Sequence, residues 1–187
     1  MTTFGLLMSG FMLLVSHLGE MDPSITPRMP VLNSPLLSIH VSIIMISYAL
    51  LSLTFISAIA YFLTCNSKRK SVMAANRQLT VLSQIFLYPA ITTLGLGIFI
   101  GAIWANISWG SYWGWDPKET WALITFMIYA IPLHTNSFSA LGKPKNYHLF
   151  MLLSFFSILM TYFGVNYILG GMHSYASVSY THLTLPT

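Results

Sequence analysis

An all-α, polytopic integral membrane bundle of about five transmembrane helices, with a Trp-rich external connection, is the architecture this sequence predicts. Three observations carry that expectation. Only 6% of the 187 residues are charged, and 55% are hydrophobic; a soluble domain carries about 25% charged residues. Several apolar runs approach or exceed the roughly 20 residues that span a bilayer. The basic residues gather in two short connections, which gives the chain an orientation. Residues 1–187 therefore read as a single membrane domain.

The elements follow in order. Residues 4–18 form a short apolar run without the basic start of a signal peptide and without a clear cleavage site, so they read as a membrane helix. A proline-broken polar loop, Gly19 to Pro35, carries Glu20, Asp22 and Arg28. The second span, 36–63, runs into Cys65-Asn-Ser-Lys68-Arg69-Lys70, with Arg77 soon after. The third span, 79–103, is interrupted by Pro89 and contains Gly95, Gly97 and Gly101, small residues that permit close helix packing. Residues 104–121 are the Trp-rich connection. The fourth span is expected over 117–141, the basic turn Gly142-Lys143-Pro144-Lys145 follows, and the fifth span covers 147–169.

The positive-inside rule puts the Lys68–Arg77 and Lys143–Lys145 connections in the cytoplasm, or the stroma of a plastid. The Gly19–Pro35 loop, the Trp connection and the C-terminal Gly170-Gly171-Met172-His173 segment then share the outer face, and five alternating spans satisfy this without adjustment. The basic residues are too sparse to indicate nucleic acid. A single cysteine, Cys65, makes no internal disulfide, no CxxC pair and no zinc site, so any thiol chemistry must come from a partner.

All five tryptophans lie between Trp104 and Trp121, in the run Trp109-Gly-Ser-Tyr-Trp113-Gly-Trp115-Asp116-Pro117-Lys-Glu-Thr-Trp121 and just before it. Interfacial Trp belts are spread over many helix ends; a cluster in one connection reads as a platform for a large planar ligand. His40, at the outer start of the second span, and His173, past the outer end of the fifth, fall on the same face. Two imidazoles flanking an aromatic wall suit the axial ligation of a haem. Asp116-Pro117-Lys118-Glu119 has the form of a helix start, with Asp as N-cap, Pro at the first helical position and Glu closing a capping box. That cap fixes how Trp109, Trp113, Trp115 and Trp121 join the fourth span. His134 lies 13 residues beyond Trp121, about 20 Å along a helix. If the span continues to Leu141, His134 lies inside the bilayer. Two readings stand for it: a functional ionisable group within a span, or a packing contact to a carbonyl freed by Pro132. His17 and His148 read as interfacial, and the scattered methionines as packing.

The run from Trp109 to Trp121 resembles the tryptophan-rich WWD signature of haem-handling proteins in cytochrome c maturation. Extended through Ala122-Leu-Ile to His134, and joined by Ser38-Ile39-His40-Val41 and Gly170-Gly171-Met172-His173-Ser174-Tyr175, it is similar to the CcsA (ResC) family, the membrane subunit of the system II cytochrome c synthase. The resemblance implies that haem b is presented on the WWD segment, with His40 and His173 as external axial ligands. It matches His134 to one of a pair of intramembrane haem ligands. It also implies a CcsB (ResB)-type partner subunit and an apocytochrome c whose CxxCH thiols are joined to the haem vinyl groups. The membrane would be the bacterial inner membrane, or a thylakoid membrane, with the WWD segment on the periplasmic or lumenal side. The chain departs from the family in three respects: it is expected to be shortened at the N-terminus, the second intramembrane histidine has no counterpart, and residues 177–187 do not match, so His182 is given no role.

No nucleophile or general base stands out, which agrees with chemistry driven by positioning. Three other functions use the same features: a system I protein that loads a haem chaperone, an exporter that moves haem without ligation chemistry, and a structural assembly protein whose tryptophans only anchor it, which would purify without a Soret band. Partner identity separates the first, and haem export without apocytochrome separates the second.

Overall fold

Apolar side chains on all sides, rather than on one stripe, set the character of the helices, and proline opens three of them. The computed structural model describes residues 34–134 and 138–169. Helix α1 (Pro35–Thr64) starts with Pro at its first position, where the missing N–H costs nothing. Helix α2 (Lys70–Trp109) follows a short turn and ends at Gly110, whose φ of 76° lies in the left-handed region that glycine adopts without strain. The Trp-rich connection leads to α3 (Pro117–Ala130), which tightens into a 3-10 turn over Ile131–His134. A second 3-10 turn (Ser139–Gly142) precedes α4 (Pro144–Leu159). A π-turn (Met160–Gly164) and a short α5 (Val165–Tyr167) follow.

Three of these segments, Pro35–Thr64, Lys70–Trp109 and Pro144–Gly164, are long and apolar enough to cross a membrane. Side chains such as Phe99, Leu96, Leu153 and Phe156 are exposed on the outside of the bundle, which suits lipid rather than water. The apolar run 4–18 lies outside the described residues.

Helix α2 runs unbroken through Pro89, where the sequence suggested an interruption. Packing against α1 holds it there: Ser47 Oγ of α1 donates to Ala90 O (2.8 Å), and within α2 Thr93 Oγ1 donates to Pro89 O (2.8 Å). Neighbouring hydroxyls thus serve the carbonyls around the proline, as membrane helices permit. With 40 residues, α2 is about 60 Å long, well beyond the ~30 Å hydrocarbon core. Its first turns extend the bundle past the apolar run that starts at residue 79.

That extension corrects the reading of His148. It is fully buried rather than interfacial, because the start of α2 walls it in. Its Nε2 lies 3.0 Å from Thr80 Oγ1, and its ring stacks on Tyr61 of α1 at 4.3 Å. The fourth helix is shorter than expected. Pro132 lacks an N–H and disfavours α geometry at Ile131, so the α-helix stops at Ala130 and the 3-10 turn at His134, not at residue 141.

The core is a seam between α1, α2 and α4, with Leu51, Ala58, Leu87, Leu94 and Met151 buried and Phe55 stacked on Phe155 at 4.1 Å. The antiparallel run of helices gives the bundle two unlike ends. The connections holding Lys68, Arg69, Lys143 and Lys145 meet at one end, where Thr64 bonds Asn76 and Thr80 meets His148. The Trp connection, the start of α1 and the end of α4 meet at the other, where His40 bonds Gly97 O and Lys118 bonds Asn166.

Candidate functional site

At the Trp end, α1 presents Leu37, His40, Val41, Ile44, Met45 and Tyr48 along one side of a cavity. These positions recur every three to four residues, the spacing of one helix face. Ile98, Gly101 and Trp104 of α2 form a second wall, Tyr112 and Trp113 of the connection a third, and Lys118, Glu119 and Ala122 of α3 with Thr161 and Tyr162 of the π-turn close the remainder. The space amounts to about 1040 Å³ including its open mouth and the solvent in it.

His40 is seated by α2. Its Nδ1 donates to Gly97 O at 2.8 Å, since a carbonyl can only accept. A neutral ring held this way carries its lone pair on Nε2, the arrangement that tunes imidazole ligands. Gly101 makes the seat: a Cβ there would lie 2.6 Å from His40 Cε1 and 2.8 Å from Nδ1. Read from the sequence, Gly97 and Gly101 signalled close helix packing; that they form a notch for this imidazole depends on the α1–α2 register, which no local pattern encodes.

The tryptophans divide by position. Trp104 is buried and pairs edge to face with Trp109 at 4.8 Å and 72°. Trp113 and Trp115 form a second such pair at 5.8 Å and 87°. The indoles of each pair are therefore steeply inclined, and Trp104 and Trp113 are the two that line the cavity. Trp115 is exposed and has a φ of 55°, a backbone state that a bulky residue adopts only when its surroundings impose it. Trp121 lies in α3, and its carbonyl accepts from Thr161 Oγ1 at 3.3 Å.

Asp116 is buried and caps α3. Its carboxylate accepts from Lys118 N at 3.0 Å, and Glu119 Oε2 reaches back to Asp116 N (3.3 Å) and Gly114 N (2.8 Å). The expected capping box is present and ties the Trp connection to the helix. Asp116→Ala is expected to destabilise the protein by about 1 kcal/mol, read as an earlier thermal unfolding transition in detergent.

The π-turn completes the site. The extra residue in this turn sets Thr161 toward α3, with its Oγ1 3.1 Å from that of Thr125, and Asn166 then reaches Lys118. Such turns are frequent at functional sites, and nothing in the local sequence announced this one. His134 is exposed at the end of its 3-10 turn, at the basic end of the bundle and away from the cavity. His173 lies outside the described residues.

The family model described as cytochrome C assembly protein matches residues 1–173. The chain belongs to the cytochrome c assembly protein family. Among curated relatives, it is 45% identical over 178 residues to the protein NrfI of Wolinella succinogenes, covering 91% of this chain and 19% of that protein. It is 37% identical to the cytochrome c biogenesis protein CcsA of Chlamydomonas reinhardtii, covering 80% of this chain and 43% of the relative. To CcsA of Prochlorococcus marinus it is 34% identical, covering 93% and 64%. The chain thus spans less than two thirds of the length of each of these relatives. Family membership and the three membrane-crossing helices together describe an integral membrane member of the cytochrome c assembly family.

Proposed function

We propose that this chain is the haem-presenting membrane subunit of a cytochrome c synthase, holding haem b at the outer membrane face for attachment to the CxxCH thiols of an apocytochrome c. The observation that carries the reading is His40: an imidazole with Nδ1 committed to Gly97 O, notched into Gly101, on the wall of an apolar cavity bounded by Trp104 and Trp113. This donor set fits a haem. An apolar chamber excludes water from the macrocycle, and a backbone-anchored imidazole is a good iron ligand. His173 would supply a second iron ligand, and His134, at the basic end, a separate haem ligand completed by a CcsB-type partner. When bound, haem supplies the vinyl carbons, to which a thiol S–H adds across the double bond with no net change of oxidation state. The chain's contribution is orientation: His40 fixes the iron, Trp113 and Tyr112 border one side of the ligand, and the capped start of α3 holds the connection still. The gathering of basic residues at the opposite end supports an outward-facing Trp end.

Trp113→Ala is expected to lower haem retention several-fold while membrane insertion is unchanged, whereas Trp115→Ala, at an exposed position off the cavity, should cost less. Haem-to-protein ratios of the two purified variants check this. Equal retention in wild type and Trp113→Ala would remove the indole from the site. Co-purification with a CcsB-like protein and a CxxCH substrate, rather than a haem chaperone, tests the synthase assignment.

A further inference from the structure

We infer that Lys118, held by Asn166, is the anchor for a carboxylate of the ligand that fills the cavity, and so fixes which edge of that ligand faces α3. The inference rests on the haem reading above and names the part of the molecule that this corner would recognise. Lys118 is half-buried on the wall of a mainly apolar cavity, an expensive place for a cation unless something there needs it. Its Nζ donates to Asn166 Oδ1 at 3.1 Å. An ammonium has three protons to donate; the neutral amide takes one, and the nearby Asp116 carboxylate helps to offset the charge.

The neighbouring acids also cap α3. Asp116 accepts from the backbone N of Lys118 at 3.0 Å. Glu119, which also lines the cavity, has Oε2 on the amides of Gly114 (2.8 Å) and Asp116 (3.3 Å). Both carboxylates are therefore used to cap α3, at the positive end of its dipole, where negative charge is already stabilised. The π-turn contributes the other half of the device, since it brings Asn166 to Lys118 across the bundle. Asn166 restricts a flexible side chain to one direction, which reduces the entropy lost when an anion docks.

In a haem, both carboxylates lie on one edge of the ring and the vinyl groups lie away from it. A carboxylate at Lys118 turns the vinyl-bearing edge from α3 while His40 holds the iron from α1. Orientation about the His40–iron axis is then set by charge rather than by shape, because the other cavity walls are mostly apolar.

The test compares haem with its dimethyl ester, which keeps the iron and the vinyl groups and loses both charges. The purified chain is stripped of haem in detergent and titrated with each, following the Soret band. Wild type is expected to bind haem about tenfold more tightly than the ester, as a charge-assisted hydrogen bond implies. Lys118→Met should bind both alike, with the band position of His40 ligation unchanged, and Lys118→Arg should keep the preference. Equal binding of both by wild type, or an undiminished preference in Lys118→Met, overturns the anchor and leaves the haem reading standing. Wild type that binds neither overturns both. Should Lys118→Met fail to fold, Lys118→Gln, which keeps a polar side chain without the charge, is read by the same criteria.

Discussion

Gly101→Val is expected to strip haem from the protein by at least tenfold although it alters no proposed ligand. A Cβ at residue 101 would stand 2.6 Å from His40 Cε1, 2.8 Å from Nδ1 and 3.4 Å from Nε2, where carbon atoms normally rest about 3.5–4.0 Å apart. Either the imidazole swings out of its notch or α1 and α2 part, and each breaks the Nδ1 bond to Gly97 O. Overpacking of this kind costs about 1–3 kcal/mol, and the valine branches widen the clash. Gly101→Ala should move in the same direction by less. Gly95→Ala provides the contrast: its Cβ would meet the outer edge of the Phe126 ring at 3.2 Å, on a side chain able to yield, and haem should be retained. Haem-to-protein ratios across the three variants, normalised to inserted protein, check the order. A Gly101→Val protein with its full haem complement would show that the seat of His40 is irrelevant.

His40→Ala is expected to produce the second large loss: little haem at the site, and cytochrome c maturation reduced at least tenfold in cells. Helix α1 itself should survive, since alanine is the best helix former and the ring of His40 lies at the cavity rather than in the Leu51–Leu94–Met151 seam. Added imidazole should restore a ligated haem spectrum, because the apolar chamber and the indoles remain. Restoration of the spectrum without restoration of maturation would separate iron ligation from orientation of the vinyl edge.

Much of this architecture was legible in the residues. Uninterrupted apolar runs announced α1 and α4, and Asp116-Pro117-Lys118-Glu119 announced the capping box and the start of α3. The sorting of basic residues and tryptophans to opposite ends followed from alternation. What escaped was long-range. Pro89 looked like a break because the hydroxyl of Ser47 that serves Ala90 lies 43 residues earlier in the chain. His148 looked interfacial because its cover, Tyr61 and Thr80, belongs to helices whose overlap is a matter of packing. The end of α3 at Ala130 was signalled by Pro132, but hydropathy beyond it outweighed that signal. For the site, His40 and Trp113 were readable as chemistry; Gly101, Asn166 and the π-turn were not, because their roles exist only once two helices are in register.

The most direct measurement is the ultraviolet–visible spectrum of the chain purified with its partner, as wild type and as His40→Ala, in the reduced state. The expected result is a Soret band with the split α and β bands of six-coordinate b-type haem in wild type, and their loss or conversion to a five-coordinate form in the variant. A wild-type complex without a Soret band, or a variant whose spectrum is indistinguishable from wild type, would contradict the assignment of His40 as an iron ligand.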